Sequence, residues 1–331
     1  MNDNLYENCT QCPRKCAVNR IVDENNTYKK GFCRESNILR IATACLHFGE
    51  EPLVTVFSGS GTIFFTGCTL RCSFCQNYQI SQQGMGKEIS QEEFTKMCLK
   101  LQEKGAENIN LITGSHNIPI IAEYIRHAKE NGVTIPFAWN SSAYESVESL
   151  ELLKGLIDIW LPDLKTLNPL MSKELFDAED YPSVAKKAIR WMISTSPMKI
   201  VDVKKKGETR EKMLSGVIIR HLFLPGRMTD TQLTLDWLKK FADKKSCISL
   251  MSQYTPVPFQ KEISAFQNRL VNEEEDKKLR DMIDNYDFDY LFYQDLSDDT
   301  SWLPDFNRTQ PFSNALATPV WHWKEGFVKK R

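Results

Sequence analysis

The stretch Thr66-Gly67-Cys68-Thr69-Leu70-Arg71-Cys72-Ser73-Phe74-Cys75-Gln76-Asn77 places three cysteines in a Cys-x3-Cys-x2-Cys spacing directly behind a short apolar run at 62–65. A loop this short, with Gly67 at its base, can curl three sulfurs toward one centre. An electron-transfer [4Fe–4S] cluster and a structural zinc ion each take four protein ligands. Here no fourth is local. A cubane held by three cysteines keeps one iron open, free to bind a substrate or a second cofactor. The competing reading is a ferredoxin-type or zinc site that recruits Cys45 or Cys98 from afar. Cys98 shares the apolar face of its helix with Phe94, Met97 and Leu101 and reads as a packing thiol.

Outward from this loop, short apolar segments alternate with amphipathic stretches, the pattern of βα units around a parallel sheet. Strands are expected at 62–65, 108–113, 135–140, 158–163, 217–224 and 248–254. Helices are expected after Ser90-x-x-Glu93, which reads as a capping box, and at 118–129, 147–154, 183–192 and 231–241. Six such repeats are too few for a closed eight-stranded barrel. The expected fold class is therefore α/β, a partial (β/α)6 TIM-like barrel at 58–260. A cysteine-rich extension at 1–57 precedes it, with short strands at 38–45 and 54–57. Residues 261–331 add a helix at 273–286, a strand at 290–293 and an irregular cover from 297 on. The basic stretch 194–215, with Lys204, Lys205, Lys206 and Arg210, reads as a mobile solvated loop that a partner can touch.

The chain has 331 residues, with 42 Lys and Arg against 43 Asp and Glu and a net charge of −1. Such a balance, with lysines scattered in pairs, lacks the basic stripe of a nucleic-acid binder, so no nucleic-acid partner is indicated. No apolar run approaches the ~18 residues of a membrane span, and the polar, acidic start lacks the pattern of a secretory signal. A cytoplasmic protein with no membrane partner is expected. In that reducing compartment clustered thiols bind metals more readily than they form disulfides.

Of the ten cysteines, seven fall in two clusters. The second, Cys9-x2-Cys12-x3-Cys16 followed by Cys33, supplies four thiolates. A zinc knob, an auxiliary iron–sulfur cluster and free thiols all remain open for it. Cys45, Cys98 and Cys247 read as packing.

The three-cysteine loop after the first strand resembles that of the radical S-adenosylmethionine (SAM) superfamily. Further blocks extend the similarity: Asn108 to His116, Asn140-Ser141-Ser142-Ala143-Tyr144, Leu161-Pro162-Asp163-Leu164-Lys165, Ile219 to Gly226 and Leu250 to Pro256. Together they look like a branch of uncharacterised iron–sulfur proteins similar to the pyruvate formate-lyase activating enzyme. The resemblance implies a radical SAM core, a [4Fe–4S] cluster on Cys68, Cys72 and Cys75, and SAM as second cofactor. It implies reductive cleavage of SAM to a 5′-deoxyadenosyl radical that abstracts hydrogen from a substrate, and a one-electron donor such as flavodoxin or ferredoxin. Oxygen sensitivity follows from an exposed iron.

By the same resemblance, Thr113, Ser115 and His116 stand where relatives hold the SAM amino group. Asn140 and Ser142 can bond ribose hydroxyls or the SAM carboxylate. Asp163 and Lys165 match the Asp-Leu-Lys of the activating enzyme, whose lysine lies by that carboxylate; a strand-end ion pair is the plainer alternative. Gln253 falls at a ribose contact. Strand alternation sends Arg220 and His221 to opposite faces without telling which looks inward, and a lone strand histidine is more often a satisfied scaffold residue. The substrate class expected is a protein or peptide, with a small molecule or RNA as runner-up. A non-enzymatic iron–sulfur electron-transfer protein is the rival class.

Overall fold

The computed structural model describes residues 4–257, 263–296 and 302–329. The expected boundary at residue 260, and the start of the expected cover at 297, lie outside the described residues. In chain order the elements are α1 (Asn4–Glu7), β1 (Arg40–His47), β2 (Ser60–Phe65), α2 (Tyr78–Ser81), β3 (Lys87–Glu88), α3 (Gln91–Glu103), β4 (Ile109–Ile112), α4 (Ile118–Glu130), β5 (Phe137–Ser141), α5 (Val147–Leu150) and β6 (Ile159–Pro162). They continue with α6 (Pro169–Phe176), α7 (Tyr181–Thr195), β7 (Lys199–Lys205), β8 (Glu208–Leu222), α8 (Met228–Phe241), β9 (Cys247–Met251), α9 (Glu273–Asp284), β10 (Leu291–Gln294), β11 (Ala317–His322) and β12 (Gly326–Phe327).

The sheet runs β10-β9-β8-β6-β5-β4-β2-β1-β11-β12 and does not close. From β2 to β10 every pairing along this path is parallel, so β10 adds a seventh parallel strand to the six expected. The partial barrel is thus one strand larger than its six repeats.

Strand alternation divides the core in two. Ile109, Leu111, Phe137, Trp139, Trp160, Val217, Ile219, Ile248 and Leu250 pack outward with the helices. Ala138, Ile159, Leu161, Ile218 and Cys247 face the concave side, where Leu53 and Val54 pack against them. The expected strand at 54–57 does not form. Instead this segment plugs the base of the barrel: the Glu107 carboxylate accepts the amides of Val56, Phe57 and Ser58 at 2.9, 2.7 and 2.7 Å, and Lys212 meets its other oxygen at 2.6 Å. Backbone donors satisfied by one carboxylate no longer need a sheet partner.

Four further expectations are corrected. The stretch 194–215 is no loop: β7 and β8 form a hairpin whose turn residues, Lys206 and Gly207, have φ of 51° and 88°, the two positive values that a tight right-twisted hairpin demands. The cover is not irregular throughout, since β11 pairs antiparallel with β1 and Phe306 and Phe312 pack on Phe64 at ring distances of 5.5 and 5.4 Å. The capping box is half formed. Ser90 Oγ accepts the Glu93 amide, but the Glu93 carboxylate accepts Trp321 Nε1 of β11 at 2.8 Å instead of the cap. Expected helix 147–154 shortens to α5 followed by a 3-10 turn at Glu151–Leu153, and α6 was not anticipated.

Among the described residues, no helix is long and apolar enough to cross a membrane.

Candidate functional site

The cysteine loop leaves the carboxyl end of β2 through Gly67, whose φ of 87° suits glycine. A Cβ there would stand 2.3 Å from Glu35 Cγ. Arg71, with φ of 52°, turns the loop back on itself. The amides of Leu70 and Arg71 then point at Cys68 Sγ, at 3.3 and 3.5 Å, and Ser81 Oγ lies 3.3 Å from Cys75 Sγ. The loop is anchored from both sides. Ser73 donates its amide to Leu175 of α6 at 2.9 Å, and the Phe74 ring packs edge-on against Phe266 and Tyr254.

Burial pushes the Cys72 thiol up, and the Cys75 thiol up to about 11; nearby Lys165 pulls both back, and the neighbouring Cys68 sulfur adds to the rise of both. The loop therefore gathers three thiols beside a cation. Among the described residues, no three His, Cys, Asp or Glu converge tightly enough for a single metal ion. A cubane asks less convergence, since each cysteine sits on its own iron. A thiol-only donor set that receives N–H bonds fits such a cluster.

Facing this loop, the ends of β5, β6 and β8 build a charged centre. Asp163 Oδ2 meets Lys165 Nζ at 3.0 Å, and its Oδ1 meets Arg220 at 2.7 and 2.8 Å. Arg220 also donates to Asn140 Oδ1 and lies 3.9 Å from Glu51. Burial alone would raise the Asp163 carboxyl, but Arg220 and Lys165 hold it below the ordinary carboxylate range. For Lys165, burial is outweighed by Asp163 and Cys72, which keep the ammonium charged. Tyr181 of α7 clamps the backbone beneath: its fully buried hydroxyl accepts the Lys165 amide at 2.9 Å and lies 2.7 and 3.0 Å from the carbonyls of Asp163 and Ser142.

Arg220 looks inward with Ile218, while His221 faces the helices. Both His221 nitrogens are satisfied, by the Leu164 carbonyl at 2.7 Å and Thr231 Oγ1 at 3.0 Å, and burial pushes the imidazole down to about 4. Alternation alone left the choice open, and the sheet's parity, set by Ile218 on the plug, decides it. Arg220, Glu51 and Tyr181 are participants that sequence motifs did not single out. Only Arg220 carried a signal, its place in a strand-end block.

The sequence-predicted residues divide. Asn140, Ser142, Asp163 and Lys165 come together beside the cysteine loop. Ser142 Oγ is buried with no partner among the described residues, as are Thr69 Oγ1, Arg71 Nε and Ser73 Oγ on the loop. Such orphaned polar atoms are costly unless a ligand meets them. Thr113 adopts a φ of 60° and donates its amide to the Asn140 carbonyl at 2.8 Å. Ser115 is committed elsewhere: with Trp139 and Ser141 it donates to the buried Glu145 carboxylate, at 2.7, 2.9 and 3.1 Å. His116 is buried against the Thr66 backbone, its imidazole pushed down to about 3 by that burial and by Arg20. Gln253 donates to the Asp295 carbonyl at 2.8 Å, just past β10.

Of the amino-terminal thiols, Cys9 and Cys33 are buried and Cys12 and Cys16 half-buried. Cys45, Cys98 and Cys247 are buried in apolar clusters.

Comparisons with known proteins follow the same lines. The family model described as the radical SAM superfamily matches residues 62–215, from β2 into β8. An uncharacterized protein of Methanocaldococcus jannaschii is 30% identical over 297 residues, covering 87% of this chain and 78% of that protein. The pyruvate formate-lyase-activating enzyme of Listeria monocytogenes is 26% identical over 131 residues, 37% of this chain and 53% of that enzyme. The crystal structure of methylornithine synthase superposes with a TM-score of 0.47 at 12% identity, covering 70% of each chain. The chain thus belongs to the radical SAM superfamily, whose enzymes use a one-electron donor, a [4Fe–4S] cluster and SAM for radical chemistry.

Proposed function

We propose that Cys68, Cys72 and Cys75 hold the [4Fe–4S] cluster, that Asn140, Ser142, Asp163 and Lys165 face the SAM bound there, and that the substrate is a protein or peptide. The observation that carries the site is the meeting of the three-thiol loop with Lys165 and its fixed partners. When bound, cluster and SAM supply a 5′-deoxyadenosyl radical, which removes a hydrogen atom from the substrate.

The chain's own residues prepare that site. Lys165, kept charged by Asp163, offers a fixed cation to a carboxylate arriving beside the thiols. Arg220 is hydrogen-bonded to both Asp163 and Asn140, which fixes the two side chains before the ligand enters; preorganised groups lose less on binding. Ser142 Oγ and Ser73 Oγ have free hydrogen-bonding capacity for a polar ligand. Tyr181 fixes the backbone that carries Ser142 and Lys165. The plug at 50–57 closes the base and shields the concave side from water, which a radical reaction requires.

The similarity to the Listeria activating enzyme, whose name gives an enzyme as its target, supports a polypeptide substrate, and the resemblance to that family points to the α-hydrogen of a glycine as the atom taken. The test uses reduced, cluster-loaded protein with SAM and peptides bearing α-deuterated glycine. Deuterium is expected in the 5′-deoxyadenosine formed. Its absence across glycine peptides, with 5′-deoxyadenosine still forming, would remove glycine abstraction from the reading.

A further inference from the structure

The segment before the barrel buries a positive charge that no carboxylate meets. Arg20 is 2% exposed. Its Nε donates to the Glu35 carbonyl at 2.8 Å; Nη1 donates to the His116 carbonyl at 2.8 Å and to Cys9 Sγ at 3.3 Å; Nη2 donates to the Ser36 carbonyl at 2.8 Å and to Asn117 Oδ1. All five donors of the guanidinium are thereby used, and every acceptor except the sulfur is a neutral oxygen. The Glu35 carboxylate is engaged by Arg40 instead, at 3.2 and 3.3 Å. Arginine does not shed its proton in proteins, and an uncompensated buried charge is strongly destabilising. Glu35 feels Arg20 from a distance, and among the described hydrogen-bond partners of Arg20 the Cys9 sulfur is the one that can become an anion.

All four thiols are dressed to carry that charge. Arg20 bonds Cys9, the Arg14 amide Cys12, the Phe32 amide Cys16 at 3.3 Å and the Glu35 amide Cys33. An N–H aimed at sulfur favours thiolate over thiol. Gly31 makes room, because a Cβ there would meet Cys16 Sγ at 3.2 Å. A metal-bound set of thiolates would place negative charge directly against Arg20 and give these N–H groups their acceptors.

We propose that Cys9, Cys12, Cys16 and Cys33 hold a second iron–sulfur cluster, balanced by Arg20 and fastened through it to the loop of His116 and Asn117 on the barrel. Zinc would draw four sulfurs to about 3.8 Å from one another around one ion. An iron–sulfur cluster instead spreads its cysteines over separate irons, and Cys9, Cys16 and Cys33 all stand near enough to Cys12 to act on it. The second set also stands next to the first. A cavity of about 260 Å³ is lined by Cys33 on one side and on the other by Ser81, the partner of Cys75, with Lys30, Arg34 and Arg40 around it.

Iron, sulfide and zinc counts on anaerobically reconstituted protein test this without any assay of activity. Wild type should hold about eight iron atoms if both sites carry four-iron clusters, and Cys68→Ala/Cys72→Ala/Cys75→Ala should keep about half. Adding Cys9→Ala and Cys12→Ala should abolish the remainder. One zinc per chain with iron confined to the first set, or no metal at the second, overturns the proposal; wild-type counts decide even where the triple variant fails to fold. In the triple variant, Arg20→Gln should shift the midpoint potential of the remaining cluster downward, since removing a nearby positive charge disfavours the added electron, and Arg20→Lys should restore most of it. An unchanged potential in Arg20→Gln overturns the role given to Arg20.

Discussion

Arg220 and His221 are chain neighbours with opposite tasks, and the difference is one of parity. Arg220 ties Asp163 to Asn140 on the concave side, so Arg220→Met leaves Asp163 with Lys165 alone and Asn140 unpaired. Breaking a buried pair in this way costs about 3–5 kcal/mol, and 5′-deoxyadenosine formation should fall at least tenfold because Lys165 loses its fixed setting. Denaturant melts and single-turnover assays measure the two effects. His221 is neutral in the fold, pushed down to about 4 from 6.5 by burial. Below the ordinary value the unfolded chain takes up a proton that the folded one refuses. Stability from this residue is therefore whole above pH 6.5 and lost as the pH falls toward 4, by about 3 kcal/mol at most. His221→Gln should flatten that part of the pH–stability curve; an unchanged slope between pH 6.5 and 4 would contradict the assignment.

At the scale of elements, the cysteine loop and the hairpin make opposite predictions. Gly67→Ala forces a Cβ onto Glu35 at a positive φ, so iron content should fall by about half and SAM cleavage should be lost with it, as elemental analysis beside product assays would show. The hairpin tip is exposed. Replacing Lys204, Lys205 and Lys206 with serine should leave SAM cleavage without substrate unchanged within about twofold, surface substitutions of this kind being small in effect. Sequence periodicity located the parallel strands to within a few residues, apart from the start of β8, which lies nine residues earlier in the hairpin, because strands buried on both faces read as continuous apolar runs. It misjudged the hairpin because charged side chains on an exposed ribbon look like a solvated loop, although Val201 and Val203 already alternate. It missed the plug for another reason. Leu53 and Val54 read as a strand, and only the remote Glu107 tells the backbone where its amides go. Asp163 and Lys165 could be found by motif; Glu51, Arg220 and Tyr181 reach the same place through the fold.

For the whole molecule, both ends of the chain complete a barrel that six repeats leave open. The amino-terminal segment is stitched to it by Arg20, and the carboxyl-terminal one covers Phe64 and Ile112 with Phe306 and Phe312 while β11 takes the free edge of β1. Truncation before residue 302 should expose that apolar layer and an unpaired edge, giving a chain that binds a hydrophobic dye and aggregates; a soluble truncation with wild-type melting would contradict this role. In the proposed function the three-thiol loop, set beside Lys165, makes a SAM-cleaving centre. Its most direct test is to reconstitute the protein without oxygen, reduce it, add SAM and quantify 5′-deoxyadenosine. Wild type should form product and Cys68→Ala none. A loaded and reduced wild-type cluster that leaves SAM intact would contradict it.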